Sequence, residues 1–307
     1  MFKIVAKPGL FLLFAGFLNS FAIADDFPTV QLEKGGRKIL IVGSAHLGEK
    51  LPVVRKDLSK LIKGSDGVCF ESDPAGTEAA NQVATELAFS KKDRSLSQRI
   101  GSDLIDILSK RLAKFKLDKA AMESLTPFVI AGLIPRTIPE LDSVYSKLSL
   151  ENSPDVALGL IAQRAKKRFF GLETKDQFME SVDSITDDEW RKYILLLLAT
   201  VDCQVCRAKY IENSIAATHL DSNPNHNFNK MSEAVSWNAN LQQLHYKLLF
   251  THRNPIFAQS IDTIAFKEKK CNVVIIGAAH LGGHDGIINI LLRSGYRQTA
   301  SSAPPYN

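Results

Sequence analysis

One stretch of this sequence occurs twice. Lys38-Ile39-Leu40-Ile41-Val42 runs into Gly43-Ser44-Ala45-His46-Leu47-Gly48, and far downstream Asn272-Val273-Val274-Ile275-Ile276 runs into Gly277-Ala278-Ala279-His280-Leu281-Gly282. An uninterrupted apolar run closed by glycine is the pattern of a strand buried on both faces, and burying both faces takes helices on both sides of a sheet. The repeat therefore predicts an α/β fold: a central, largely parallel sheet flanked by helices. Two further short strand patterns carry acids at their ends, Val68-Cys69-Phe70-Glu71 and Arg168-Phe169-Phe170-Gly171-Leu172-Glu173.

His46, Glu71, Glu173 and His280 each fall just past the carboxyl end of an apolar run. In open parallel sheets, ligands bind in the crevice outside those ends. Two imidazoles with one or two carboxylates form a mixed N/O set suited to Mn, Fe, Co or Zn. A divalent ion there acidifies water and polarises a carbonyl, and a spare carboxylate serves as base. A lone strand-end histidine more often bonds a turn, and a lone strand-end glutamate often caps a helix. The repetition of the imidazole favours function. His284 stands four residues after His280, a helical pair that Gly282 and Gly283 weaken. Arg253-Asn254 reads either as a surface turn or as a guanidinium set over a developing oxyanion. His219, His226, His245 and His252 have no partner pattern and read as structural.

Between the strands the pattern is helical. Pro52 opens a helix that carries Val54, Leu58, Leu61 and Ile62 and stops at Gly64. A helical insertion is expected over about 78–150, with Leu104, Ile105, Leu108 and Leu112 as its apolar stripe and an interruption at Pro127. Thr186 and Glu189 form a capping box before a long helix. Asp221 to Lys230 reads as a loop, and 298–307 as a frayed tail. No low-complexity linker divides the chain, so 25–307 reads as one domain.

Residues 1–24 have the pattern of an export leader. Lys3 and Lys7 precede the apolar run Leu10 to Leu18, and Ala22-Ile23-Ala24 supplies small residues before Asp25. No later run has the ~20 apolar residues of a membrane helix, so the expectation is a periplasmic or secreted chain with no transmembrane segment after cleavage. Export permits disulfides. Cys203 and Cys206 read as the pair, with plain reduced cysteines the competing reading. If their strands run level, Cys69 and Cys271 lie about five residues apart, ~16 Å, too far for a bridge. The CxxC follows the helical run Ile194 to Leu198, whereas a redox-active one opens a helix.

The net charge of +5, from 38 basic and 33 acidic residues, is a small excess that argues against a nucleic-acid partner. GxSxG, P-loop, HExxH and strand-borne GxGxxG patterns are all missing, which removes the usual support for serine-hydrolase and nucleotide readings.

The paired GxxH motifs, Phe70-Glu71 after the first, and Gly277 to Tyr296 at the end resemble the TraB/GumN family, which includes the Tiki proteases. Gly171-Leu172-Glu173-Thr174 with upstream Asp155, Thr126-Pro127-Phe128 and Arg253-Asn254 extend the resemblance over almost the whole mature chain. Phe128 stands where the family commonly has Trp. The resemblance implies a fold similar to ChaN and erythromycin esterase, and a metal-dependent hydrolase or peptidase role through both histidines and a glutamate. The expectation is thus an exported metal-dependent hydrolase, a peptidase first among them, acting on a peptide or other small polymer. His46, His280 and Glu71 hold a divalent ion (Mn, Co or Zn). Glu71 is third ligand or base, Glu173 the other carboxylate, and Arg253 the partner of an oxyanion or substrate carboxylate. The competing reading is a non-catalytic binder of peptides or glycans using the same cleft.

Overall fold

The computed structural model describes residues 27–72, 94–217 and 219–301. The expected leader, the first part of the helical stretch after Glu78 and the end of the tail lie outside the described residues. Six strands, β1 (Thr29–Lys34), β2 (Arg37–Ser44), β3 (Val68–Ser72), β4 (Phe169–Glu173), β5 (Val273–Gly277) and β6 (Arg297–Ser301), make one sheet in the order β4-β3-β5-β2-β1-β6. The four strands expected from the sequence are the parallel ones: β3 pairs with β4 and β5, and β5 with β2. The two copies of the repeat are therefore neighbours, with Ser44 opposite Gly277. β1 and β6 add an antiparallel edge, so the sheet is mixed.

That edge adds a strand the apolar pattern does not show and corrects the expectation of a frayed tail. β1 has no uninterrupted apolar run to announce it, because it alternates: Val30 and Leu32 are buried while Thr29, Gln31 and Glu33 are half-buried. Lys34-Gly35-Gly36-Arg37 turns it into β2 with φ of 56° and 78° at the two glycines, the mirror-image turn that a two-residue hairpin favours. The tail is not frayed from 298, since Arg297–Ser301 pairs with β1 through main-chain bonds that need no apolar side chains.

Side chains alternate between the two faces of the sheet. Ile39, Ile41, Val274 and Ile276 pack with Phe257, Ile261, Ile287 and Leu291 from the helical segments 253–267 and 287–293. Val42, Val68, Val273 and Ile275 pack on the other face against Leu58, Ile62, Leu158 and Ala162. These come from helices Lys56–Lys63 and Pro154–Arg164. A third apolar cluster joins the helices between Leu96 and Tyr145 to the long helix Asp187–Asp202, and Leu104, Ile105, Leu108 and Leu112 are buried in it as their spacing predicts.

Several local details differ from expectation. The helix after β2 begins at Lys56, not Pro52, and Leu61 is 54% exposed; Asp57 sits in its first turn, where an acid is favourable. Pro127 opens a helix, capped by Thr126. Asp221 to Lys230 is mostly helix, because Asn223 caps and Pro224 takes the first position of Pro224–Glu233. The Thr186–Glu189 capping box forms as predicted.

Both cysteine pairs are bridged. Cys203–Cys206 is the expected pair, but the preceding helix ends at Asp202 and Cys203 caps the next one, Gln204–Ala216. This CxxC thus opens a helix after all. Cys69–Cys271 overturns the distance argument, with Cα atoms 5.9 Å apart. Val68 pairs with Val273, so the offset is smaller than supposed. Cys271 also precedes its strand, where straight-strand spacing does not apply.

His245 is buried beside Tyr193, whose hydroxyl lies 2.7 Å from Nδ1. Burial lowers its pKa from 6.5 to about 4. The unfolded chain takes up this proton near pH 6.5 and the folded chain only near 4, so stability is complete above 6.5 and falls as pH drops between the two. The expected loss is up to ~3 kcal/mol. Chemical unfolding of His245→Gln and wild type between about pH 7.5 and 4 checks this. The variant's curve should be flatter by that amount, and parallel curves would refute it.

Candidate active site

The parallel strands end on one edge of the sheet, and there the four expected residues meet. Glu71 and Glu173 sit at the ends of β3 and β4. His46 follows β2, and His280 ends the single 3-10 turn Ala278–His280 after β5. Gly43 lets the two motifs approach: a Cβ there would meet Pro28 Cγ at 2.5 Å and Ala278 Cβ at 3.0 Å.

Glu71 is the hub. Its Oε2 accepts the Gly277 amide at 3.0 Å and lies 3.3 Å from His46 Nε2. Its Oε1 accepts from Arg253 Nη2 at 2.6 Å and lies 3.9 Å from His280 Nε2. Arg253 also grips Glu173, through Nε at 3.0 Å and Nη2 at 2.7 Å. Phe178 and Phe257 stack over the guanidinium at 4.8 and 5.0 Å, favourable contacts for a buried cation.

The surface-turn reading of Arg253-Asn254 fails. Both residues open the helix Arg253–Ser260, and they are 3% and 1% exposed. Pro255 cannot donate to the carbonyl four residues back, and its ring crowds that position. The wider π-turn Lys247–Thr251 lies immediately upstream. An extra residue in a helical turn re-aims the side chains after it, and here Arg253, Asn254 and Phe257 all face inward.

The far nitrogens of the imidazoles are held by acceptors. Asp155 Oδ2 lies 2.6 Å from His46 Nδ1, and Ser44 donates to the other Asp155 oxygen. Asn254 Oδ1 lies 2.7 Å from His280 Nδ1, while Asn254 Nδ2 donates to the Asp285 carbonyl at 2.8 Å. That second bond fixes the amide, so His280 Nδ1 must be the donor. Nδ1 of each ring thus faces an acceptor, and each Nε2 is turned toward Glu71. Metal-binding histidines are oriented in this way. His284, by contrast, is on the surface beside Asp285 and takes no part.

The charges come from this layout. Burial, which disfavours charge, takes the His280 pKa down to about 3, and its ring meets Phe250 and Phe257 edge-on. Burial also opposes charge on His46, but Glu71 and Asp155 outweigh it and hold that pKa well above the ordinary value. For Glu71, burial is outweighed by His46 and Arg253, so the carboxyl stays well below its usual range. Glu173 moves up, because Arg253 only partly offsets its burial.

His46, its pKa held high, joins Arg253 in opposing Glu71, Glu173 and Asp155, leaving one formal negative charge. A divalent cation would take the place of the proton on His46 Nε2, and two imidazole nitrogens with a carboxylate between them are a donor set that suits one. Among the described residues no three His, Cys, Asp or Glu side chains are already gathered as a finished cage. The fit is one of donor type, ring orientation and charge.

A cavity of about 330 Å³ opens beside the cluster. His46, Glu71 and Asp155 line its polar end, and Arg253, Glu173 and His280 lie behind them. Asp155 and Asn254 are the site residues whose tasks are invisible in the sequence. Asp155 follows Ser153-Pro154 in a helical first turn and reads there as an ordinary helix-start acid.

A mostly parallel sheet flanked by helices, with an imidazole–carboxylate cluster at its carboxyl edge, defines an α/β protein. The model of the TraB/PrgY/gumN family matches residues 28–300, nearly the whole chain, and the protein belongs to that family. No curated protein and no solved structure matches it.

Proposed function

We propose that this protein is an exported, metal-dependent hydrolase acting on peptides, with His46, His280 and Glu71 holding a divalent ion such as Mn, Co or Zn. The observation that carries the reading is the pair of imidazoles whose Nδ1 atoms are tied to Asp155 and Asn254 while both Nε2 atoms face Glu71. An ion held there supplies Lewis acidity to water and to a scissile carbonyl. Glu71, kept ionised by its neighbours, serves as a ligand and not as the base. Arg253 holds the two glutamates through Nε and Nη2 and positions them. The same reading takes the fold as similar to ChaN and erythromycin esterase, supported by four parallel strands whose carboxyl ends carry the site. Export is supported by the amino-terminal pattern and by two disulfides, which persist in oxidising compartments.

Melting curves with and without excess Mn test the shared ion, for wild type, His46→Ala, His280→Ala and the double variant. Wild type should gain roughly 2.7 kcal/mol at a hundredfold excess over Kd, and all three variants should lose that gain. Peptide cleavage, abolished by EDTA, should fall nearly as far in each single variant as in the double. A single variant keeping the full metal-induced shift would refute the shared site. Metal-indifferent peptide binding without turnover would favour the binder.

A further inference from the structure

We propose that Gly159 keeps open a subsite for one large apolar side chain, making peptides with Phe, Tyr, Leu or Met beside the reacting bond the substrates of this site. The inference rests on the hydrolase reading for its reaction, and on the cavity for its selectivity. Asp155, Gly159 and Gln163 succeed one another at intervals of four on the helix Pro154–Arg164, so they share the face that lines the cavity. Asp155 holds His46, and Gly159 lies about one turn farther along, ~6 Å from it. Opposite stand Phe70 of β3 and Phe169 of β4, whose rings meet edge to face at 5.4 Å. Val156 and Leu160 complete the apolar wall.

The glycine is what points to a ligand. Inside a helix it is a poor choice, because it loses more conformational freedom on folding than any other residue. Its φ is not in the left-handed range, and an added Cβ would meet only Phe70 Cζ, at 3.7 Å, an ordinary contact. Gly48 and Gly67 differ, since a Cβ there would strike backbone oxygen at 2.2 and 2.4 Å. Neither backbone nor packing demands glycine at 159. What its missing side chain provides is room.

The size and lining specify the occupant. At about 330 Å³ the cavity is at the small end of ligand pockets. It holds one side chain with its adjoining backbone. The carboxylates are confined to the end near His46, and neither Lys nor Arg lines the rest, a cleft open to the surface at Val156 and Gln163, so it offers a charged side chain no partner.

The test is calorimetric titration of acetyl-Ala-Phe-Ala-amide and acetyl-Ala-Ala-Ala-amide into the mature protein, without metal and with Mn. Wild type should bind the Phe peptide about tenfold more tightly or better. Gly159→Leu fills the cleft and should erase that preference, while its Mn-induced melting shift shows that the polar end is intact. Should Gly159→Leu not fold, Gly159→Ala, which should melt above wild type, reads the same question: the ratio should fall about threefold. Equal binding of the two peptides by wild type, or an unchanged ratio in the folded variant, overturns the subsite. Failure of the hydrolase reading is separate and would be seen as both peptides remaining uncleaved with metal while the binding preference persists.

Discussion

Replacing Arg253 by methionine should cost this protein about 3–5 kcal/mol at pH 7. The guanidinium is 3% exposed and neutralises Glu71 and Glu173, both 5% exposed. Methionine keeps an apolar stem against Phe178 and Phe257 but leaves Glu173 without a counter-charge and Glu71 with His46 alone. Breaking a buried ion pair from one side is costly because the survivors have neither water nor partner.

The pH dependence should change as well. In wild type the folded-state pKa of Glu71 is depressed, so its contribution is present above the unfolded value of 4.5 and is lost as pH falls through the folded value. Without Arg253, Glu173, which burial already raises, moves further up, while Glu71 keeps His46 beside it. The Glu173 contribution is complete below the unfolded value and is lost as pH rises. The deficit of Arg253→Met should therefore be smaller at about pH 5 than at pH 7. Adding Glu71→Gln and Glu173→Gln to the variant should restore at least half of the loss, since neutral amides need no counter-charge. Guanidinium unfolding at both pH values measures this. A loss below about 1 kcal/mol at each would show that the network does not stabilise the fold.

How far the sequence reveals this arrangement depends on which interaction positions each residue. The buried parallel strands announce themselves, because both faces must be apolar and 38–42 and 272–276 have no polar break after their first residue. His46, Glu71, Glu173 and His280 are legible as strand-end residues, since parallel strands deliver their ends to one edge. Asp155 is not, because the contact that gives it its task spans 109 residues and its local role as a helix-start acid explains it already. Arg253 and Asn254 are visible as a pair but not as buried. Their direction depends on the π-turn ahead of Pro255, and a 3.6-residue period loses phase across an added residue. The edge strands escape for a different reason. β6 has no buried side chain and is held by main-chain bonds that any composition can make.

The bridge between Cys69 and Cys271 departs furthest from what spacing along the strands suggests, and its removal should have the other large effect. The bonded residues are 202 apart in sequence. Closing a loop of that length restricts the unfolded chain by ~5 kcal/mol in the chain-entropy view. Cys203 and Cys206 are 3 apart, and the same relation gives that bridge under ~2 kcal/mol. Cys69 and Cys271 are fully buried in the core beside Val274 and Leu172, so reductant reaches them only when the sheet opens. Cys203 and Cys206 are half-buried, next to Val205 at 79% exposure. Mild reductant should therefore release two thiols with the fold intact, and the other two only on unfolding. Cys69→Ala/Cys271→Ala should lower the unfolding midpoint far more than Cys203→Ser/Cys206→Ser, as unfolding curves with thiol counting by mass spectrometry will read. Equal midpoints for the two double variants would remove the long bridge from the account of stability. They would also weaken the export reading, because a fold that depends on this bridge has to mature where disulfides form.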